Sequence, residues 1–462
     1  MIKNKTAYLI ATAFFCTLFF MPNVCFAKEL CLTYNVKTKQ VIEAKEGKKE
    51  EKNSESQIIV GLGNDYFYVS NNGSKRVFDF QRKRIIDIDN TNKVYRDISL
   101  FSDIGFRYME FQNRIFLRDV LNAAAVKSKA NIPEQEGMFD IESLFAIVKS
   151  GSPEPLIIEN KQGDNHEYSF NNQIVVECKL SNNLLSDTQG WIFDKYLIYQ
   201  CCLHPQIRKK IISKKQIPQY LKYIYKETGR MVSVEMDLVK SVFEENDTYA
   251  VPADYTKLYE VSSKELAIII SNVMLGKSQI KRLEKPDFYK IADDLRAKGS
   301  YFDAVLVILE YGLQTGDNSA DKMREILSAQ NNSDPRLKVF LQIQSPKDKE
   351  AAQAVSKAYE SINRAGLNHG YVIDIMLADN EMLLGNSAKA QELFIKVLNK
   401  NPYLIGVYKD LGDVFNTSYE TPSAWQCWDT ARFLYPDHKM LQQANEYEKW
   451  LANNFPDFFL SN

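Results

Sequence analysis

The chain has 462 residues, the length of about two to four ordinary domains. Hydrophobic residues make up 45% of it and charged residues 25%, which excludes a wholly disordered, collagen-like or multi-span membrane protein. The 58 basic and 59 acidic residues nearly cancel, so charge does not favour nucleic acid or an anionic membrane as a partner.

The first 27 residues have the three-part layout of a secretory signal peptide. Two lysines give a positive start, residues 8–20 are apolar apart from two threonines, and Cys25 and Ala27 are small residues before the predicted cut. The apolar run is shorter than the roughly 20 residues that cross a bilayer, and no later segment is apolar enough to span one. We therefore predict a signal peptide over 1–27 and an exported protein, periplasmic or secreted. A membrane anchor and a lipid-modified Cys25 are the alternatives.

Residues 28–260 are predicted to form a mainly antiparallel β-sheet with inserted helices. Between 57 and 95, short segments rich in β-branched and aromatic residues follow one another at about ten-residue spacing. Asn72-Gly73 between two of them is a hairpin signal, because both residues tolerate positive φ. Residues 231–239 alternate apolar and polar side chains, which is typical of a half-buried strand.

Two helical stretches and one charged run interrupt these strands. Residues 118–129 are alanine-rich, and Asp140 is placed to cap a helix that ends before Gly151. The run 37–56 mixes charges and lacks aromatic residues, so we expect a mobile loop between strands rather than a binding arm.

From Ser262 the apolar pattern becomes helical almost to the end. Residues 262–265, Ser-Ser-Lys-Glu, fit a capping box that begins an apolar helical stripe. The predicted fold class is therefore α+β, with the β-rich domain over 28–260 and an all-α domain over 261–462.

The helical part contains a 34-residue repeat. Seven positions match at that offset, namely Leu377 and Leu411, Ala378 and Gly412, Gly385 and Tyr419, Ala390 and Ala424, Phe394 and Trp428, Val397 and Ala431, and Pro402 and Pro436. An earlier unit over 285–318 places Ala292 and Ala304 at the same spacing as Ala378 and Ala390. The pattern resembles the tetratricopeptide repeat, which implies helix pairs stacked into a solenoid. The number of degenerate repeats between 319 and 370 stays open.

This resemblance also implies a function. Tetratricopeptide arrays bind a peptide or protein partner in a groove lined by the first helix of each pair, which implies a non-enzymatic interaction or scaffold protein. The groove positions carry over to Tyr289, Asp293, Arg296, Ile375, Asp379, Met382, Lys409, Asp413 and Asn416. The alternative is that these residues are ordinary solvated helix faces, or that the β-rich part covers them.

A second resemblance concerns the β-rich part. The strand-like segments over 57–100 and 217–260, with the closing segment 251–255, resemble periplasmic lipoprotein-carrier domains. That resemblance implies a curved half-barrel over helices, with an apolar cavity. A lipid- or lipoprotein-binding protein of the cell envelope is therefore the alternative function.

The sequence lacks the common catalytic motifs, namely GxSxG, HExxH, the Walker A loop and GxGxxG. Its four histidines do not have the spacing of metal ligands. We therefore expect a protein that is not an enzyme and holds neither cofactor nor metal; an enzyme with an unrecognised site is the third hypothesis. Five cysteines follow the predicted cleavage site, namely Cys31, Cys178, Cys201, Cys202 and Cys427. Two arrangements are open: a disulfide bridge between Cys31 and Cys178, or five buried thiols.

Overall fold

The structure is a computed structural model that describes residues 28–43, 49–128, 137–151, 155–227, 229–245, 249–317, 319–328 and 334–459. The predicted signal peptide therefore lies outside the described residues. The α+β class is confirmed, because strands dominate the amino-terminal part and helices form the carboxy-terminal half.

The strands are β1 Lys28–Glu43, β2 Lys49–Leu62, β3 Tyr66–Asn71, β4 Ser74–Asp79, β5 Arg84–Asp89, β6 Val94–Ser99, β7 Ile158–Gln162, β8 Asn165–Phe170, β9 Gln173–Leu184, β10 Gln216–Glu227, β11 Arg230–Glu245 and β12 Thr256–Leu258. The helices of the amino-terminal part are α1 Leu100–Ser128, α2 Met138–Phe145, α3 Asp187–Tyr199 and α4 Pro205–Ile212. Those that follow are α5 Lys264–Met274, α6 Lys285–Ala297, α7 Tyr301–Thr315, α8 Ala320–Ser328, α9 Pro335–Gln342, α10 Lys349–Ser361, α11 Val372–Leu384, α12 Ser387–Lys400, α13 Ile405–Thr417, α14 Thr421–Leu434 and α15 Gln442–Asn454, with 3₁₀ turns at Lys439–Leu441 and Pro456–Phe458.

All the strands belong to one twelve-stranded sheet in the order β12-β6-β5-β4-β3-β2-β1-β11-β10-β9-β8-β7. Neighbouring strands are antiparallel except for the short parallel pair β12 and β6. The predicted antiparallel sheet is therefore confirmed, and so is the hairpin at Asn72-Gly73, which joins β3 to β4. The first strand lies in the interior of the sheet, between β2 and β11.

The charged run 37–56 is not the expected loop. Its described residues belong to β1 and β2, which pair along their whole length. Ion pairs join the two strands, with Lys39 Nζ 3.0 Å from Glu51 Oε2 and Lys37 Nζ 3.9 Å from Glu55 Oε1. This end of β2 is exposed to water on both faces, so the sequence shows no apolar alternation there.

One face of the sheet is covered by helices and forms part of the main core. Phe67 and Phe78 face each other across β3 and β4, with ring centroids 4.6 Å apart. Tyr196 and Tyr199 of α3 pack on them from above, with Tyr196 5.8 Å from Phe67 and Tyr199 4.9 Å from Phe78. Because side chains alternate along a strand, Tyr66, Tyr68 and Val77, which are next to these phenylalanines in the chain, face the other way.

The opposite face, here called the outer face, carries a smaller apolar cluster. It consists of Tyr66, Tyr68, Val77, Ile86 and Ile88, with Tyr95, Tyr249, Val251 and Tyr255 packed against it. Beside it the buried carboxylate of Glu29 accepts hydrogen bonds from Tyr66 Oη at 2.9 Å and from Cys31 Sγ at 3.6 Å. Gly61 leaves room for this network, because a Cβ atom there would lie 2.2 Å from the Tyr68 ring.

The five cysteines among the described residues are free thiols. Cys31 belongs to the network on the outer face, with its Sγ 3.5 Å from Tyr68 Oη, whereas Cys178 belongs to the main core. A bridge between them would have to pass through the sheet. Of the adjacent pair Cys201 and Cys202, the first is buried, but the second is only half-buried, with a φ of 49°.

The helical half begins one residue later than the predicted capping box. Ser263 caps α5, and its Oγ accepts a hydrogen bond from the amide of Leu266 at 3.3 Å. Glu265 does not close a box but accepts a hydrogen bond from Asn399 of α12. The predicted helix is therefore present, and its glutamate contacts another helix instead.

Two consecutive helix pairs repeat at the predicted offset. The second helices α12 and α14 begin 34 residues apart, and Ala390 and Ala424 are fully buried at the fourth position of each. In the first helices the small residues Ala378 and Gly412 are also buried. A Cβ atom on Gly412 would lie 2.4 Å from Trp428 Nε1, so α13 and α14 approach closely there.

Helix α7 lies in the interior of the helical half rather than at one end of a row of stacked helix pairs. It is buried almost all round and contacts both α11 and α13. The last pair in turn packs on the sheet part, where α14 contacts α1 and β6 and Arg84 Nη1 lies 2.6 Å from Asp429 Oδ2. The turn Pro456–Phe458 then docks on α3, where Tyr199 Oη donates to the carbonyl of Phe458 at 2.9 Å.

Candidate functional site: the exposed sides of α11 and α13

Helices α11 and α13 are the first helices of the two repeated pairs, and each keeps one narrow side toward solvent. The residues on these two sides, here called the α11–α13 stripe, are Met376, Asp379, Met382 and Leu383 on α11 and Lys409, Asp410, Asp413 and Asn416 on α13. Most of them recur three or four positions apart, which places them on one side of each helix. The other sides are buried against α7, α10, α12 and α14.

Three carboxylates and one ammonium group gather on this stripe. Lys409 Nζ lies 2.7 Å from Asp413 Oδ2 and 3.4 Å from Asp410 Oδ1. Asp379 lies close enough to feel the charges of all three. With every carboxyl group ionised, the acidic groups outnumber the basic one by two.

The surroundings of these carboxyl groups disfavour their charged form. Burial, followed by repulsion from Asp410, raises the pKa of Asp379 well above its usual value, although Lys409 opposes the shift. Burial also raises the pKa of Asp410. Burial lowers the pKa of Lys409, but its hydrogen bond to Asp413 and the charge of Asp410 more than offset this, so the net shift is upward. A further cation would relieve the repulsion among the aspartates.

The nine residues predicted from the repeat do not share one groove. Asp379, Lys409 and Asp413 come together on the stripe, and Met382 and Asn416 lie along it. Ile375 is fully buried and cannot contact a partner in this conformation. The Oδ1 atom of Asn416 is enclosed without a hydrogen-bond partner among the described residues.

The three residues of the first unit are engaged by the next helix. Tyr289 Oη donates to Ser319 Oγ at 2.9 Å, beside the start of α8. Lys322 of α8 donates to Asp293 at 2.7 Å, and Arg296 donates to Glu325 at 2.5 Å. These side chains attach α6 to α8 and are separate from the stripe.

Sequence reasoning missed two features of this region. Asp410 follows Lys409 directly, so the repeat spacing gave no reason to choose it. The second feature is a buried carboxylate on α7: Glu310 accepts hydrogen bonds from His369 Nδ1 at 2.6 Å, Tyr371 Oη at 2.6 Å and Asn401 Nδ2 at 2.5 Å. This group fixes the start of α11 and the end of α12 against α7, and so holds the stripe in place.

The stripe combines acidic and apolar side chains. Carboxylates lie beside apolar side chains, of which Leu383 is 61% exposed and the two methionines are half-buried. Within the part of the chain that the structure describes, no group of three or more histidine, cysteine or acidic residues is arranged to hold a metal ion. Over the same residues, none of the helices combines the length and the hydropathy that a membrane span requires.

Comparison with known proteins gives little further information. No protein-family model matches the chain, and no curated protein matches its sequence. Among solved structures, one of lipovitellin, described for its lipid–protein interactions, aligns with 93% of this chain at 10% sequence identity and a TM-score of 0.20. The alignment covers 48% of the lipovitellin chain, so this chain spans about half of its length. A TM-score of 0.20 does not establish a shared fold.

Proposed function

We propose that this protein is an exported, non-enzymatic interaction protein that binds a peptide segment of a protein partner along the α11–α13 stripe. The observation that carries the proposal is the excess of carboxylates over ammonium groups on the partly exposed sides of two adjacent first helices. The resemblance of the repeated pairs to tetratricopeptide repeats supports it, since those arrays bind peptides along first helices. The signal-peptide pattern of residues 1–27 supports export.

The partner segment is basic and partly apolar. A lysine or arginine side chain placed between Asp379 and Asp413 would compensate the excess negative charge and favour the ionised carboxylates. Met376 and Leu383 lie one helical turn to either side of Asp379, where they offer apolar contact to neighbouring residues of the peptide.

The test is a selection of random dodecapeptides displayed on phage against the full chain. We expect the selected peptides to combine lysine or arginine with apolar residues. We also expect Asp379→Asn, Asp410→Asn and Asp413→Asn, made together, to weaken their binding at least tenfold. A control with Asp237→Asn, Asp294→Asn and Asp321→Asn removes the same charge from exposed sites elsewhere. Selected peptides that bind both triple variants equally would refute the proposal.

A lipid-binding role is the second candidate, and one observation favours it. The carboxy-terminal part of α1 presents Phe116, Leu117, Val120 and Leu121 to solvent, with Phe116 65% exposed. Four exposed apolar side chains on one helix face suit contact with lipid. Native mass spectrometry of the purified chain tests this role, and lipid adducts that disappear on Phe116→Ser with Val120→Ser would support it. A chain that carries no lipid and takes up no fluorescent fatty-acid probe would rule it out.

A further inference from the structure

A cleft of about 410 Å³ lies on the outer face of the sheet, far along the chain from the α11–α13 stripe. Strands β3 to β6 and the turn between β4 and β5 form its floor, and residues 249–251 form one wall. The residues that matter for its chemistry are Asp65, Tyr66, Asp79, Arg82, Tyr95 and Tyr249. We propose that this cleft binds an organic ammonium group. The volume is within the range of sites that hold small ligands, roughly 300–1,000 Å³.

The walls of the cleft are aromatic and fixed in place. The rings of Tyr66 and Tyr249 lie 5.0 Å apart at 72° to each other, and Tyr95 lines the cleft from β6. The segment that carries Tyr249 is anchored by Lys93 Nζ, which donates to Asp254 Oδ2 at 2.8 Å, and by Tyr255 Oη, which donates to Asn90 Oδ1 at 3.0 Å. Tyrosine rings attract ammonium groups through the negative potential of their faces.

Two carboxyl groups give the cleft its charge. Asp79 is 4% exposed and accepts hydrogen bonds from Tyr249 Oη and, at 2.7 Å, from the amide of Arg82. Asp65 lies beside it, and burial together with the charge of Asp79 raises the pKa of Asp65. Among the lining residues Arg82 alone carries positive charge, and its Nη1 lies 3.5 Å from Tyr249 Oη. Two buried or half-buried carboxyl groups therefore share one exposed guanidinium.

A third aspartate of the cleft is already neutralised. Asp97 accepts a hydrogen bond from Arg84 Nε at 2.6 Å and from Lys257 Nζ at 3.0 Å, and these ion pairs lower its pKa against the effect of burial. The charge that lacks compensation is thus confined to Asp65 and Asp79, next to the tyrosines. A neutral polyhydroxyl ligand would leave their mutual repulsion in place, whereas an ammonium group relieves it.

The inference is independent of the proposed function, because the cleft and the stripe share no residue. The same ammonium chemistry has two sources, a free diamine or the lysine side chain of a peptide. Both are tested by isothermal titration calorimetry on the full chain, with 1,5-diaminopentane as the first probe. Its neutral isostere 1,5-pentanediol is the control ligand, and the peptide acetyl-Gly-Lys-Gly-amide is the second probe.

We expect the diamine to bind at one site and Asp65→Asn to weaken this binding at least tenfold. Tyr95→Leu should weaken it at least threefold, and Asp237→Asn, which removes an exposed carboxylate from β11, should leave it within twofold. Far-ultraviolet circular dichroism verifies that each variant is folded. A peptide that binds more tightly than the diamine through the same residues would identify lysine side chains as the source, and weaker binding would identify free amines.

Three results would overturn the inference. One is a diol that binds as well as the diamine, and another is diamine binding that survives both Asp65→Asn and Tyr95→Leu. The third is a titration in which neither the diamine nor the peptide gives a saturating binding heat up to about 10 mM. Binding that weak would not constitute a specific site.

Discussion

The close contact between α13 and α14 can be tested by adding one methyl group. In Gly412→Ala the new Cβ atom would lie 2.4 Å from Trp428 Nε1 and 3.1 Å from the carbonyl oxygen of Ala424. Overpacking of this kind costs about 1–3 kcal/mol. Displacing the indole also weakens its hydrogen bond to the carbonyl of Lys409, now 3.2 Å long, which contributes about 1 kcal/mol. Alanine gains about 1 kcal/mol over glycine in a helix, so we expect a net destabilisation of about 1–3 kcal/mol.

The preceding helix pair supplies the compensating change. At the equivalent positions α11 carries Ala378 and α12 carries Phe394, so an alanine is accommodated opposite the smaller ring. Trp428→Phe alone should destabilise the protein, because it leaves a void and removes the indole donor. In the double variant Gly412→Ala with Trp428→Phe, the methyl group fills part of that void. We expect the double variant to be more stable than the sum of the single effects predicts, by at least about 1 kcal/mol.

The measurement is guanidinium unfolding followed by far-ultraviolet circular dichroism, which does not depend on the number of tryptophans. Fluorescence gives a second signal, because Trp425, Trp428 and Trp450 all lie in α14 and α15. A Gly412→Ala variant as stable as the parent chain would refute the close approach, and strictly additive single effects would refute the equivalence of the two pairs.

Burial lowers the pKa of His369, but its hydrogen bond to Glu310 and the charges of Glu310 and Asp303 more than offset this, so the net shift is upward from 6.5. The stabilisation from this pair is therefore fully present below pH 6.5 and is lost as the pH rises through the higher folded-state pKa. His369→Gln should flatten that part of the curve of unfolding free energy against pH. An unchanged curve would contradict the pairing of His369 with Glu310. Asp379 has a folded-state pKa above the unfolded value of 3.8, so its ionisation destabilises the folded chain as the pH rises from there. Asp379→Asn should consequently stabilise the protein at pH 8 but not at pH 3, as measured by the denaturant midpoint. A variant less stable than the parent chain at pH 8 would contradict the raised folded-state pKa of Asp379. Gly61→Ala would place a Cβ atom 2.1 Å from Glu29 Oε1 and 2.2 Å from the Tyr68 ring. We expect this variant to be about 1–3 kcal/mol less stable than the parent chain and the Tyr68 side chain to be displaced. Burial raises the pKa of Cys31 to about 11, which keeps its thiol unreactive at pH 8 in the parent chain. We expect Cys31 to be alkylated faster in the Gly61→Ala variant, as followed by mass spectrometry of the peptide that contains it. A Cys31 that reacts as slowly in the variant as in the parent chain would argue against the displacement of Tyr68.

The sequence predicted those elements whose patterns repeat over short distances. The strands around Phe67 and Phe78 and the turn at Asn72-Gly73 follow from alternation and turn chemistry, which act between near neighbours. The helix pairs follow from Ala390 and Ala424, because close helix packing requires small residues at a fixed offset. Such signals are local, or are repeated along the chain, and can be recognised without knowledge of the tertiary fold.

The features that sequence reasoning missed depend on contacts between distant residues. The strand character of 37–56 comes from its pairing partners, since its own side chains are charged and exposed. Helix α7 turned out to be central because Glu310 binds residues 59 and 91 positions further along the chain. For the same reason the surroundings of the predicted groove residues differ, since Ile375 is buried and the side chains of α6 are bound by α8.

The position of β1 inside the sheet sets the order in which this protein can assemble. Leu30 pairs with Leu62 on one side and with Phe243 on the other, so one edge of β1 stays unpaired until β11 has been synthesised. Pairing over such sequence distances is slow, and an unpaired edge invites association with other chains. The ion pair between Arg208 and Asp457, at 2.6 Å, adds a contact of the sheet part that cannot form before residue 457 has been synthesised. A nascent chain of this protein therefore carries an unpaired strand edge at β1 until β11 has emerged and paired with it.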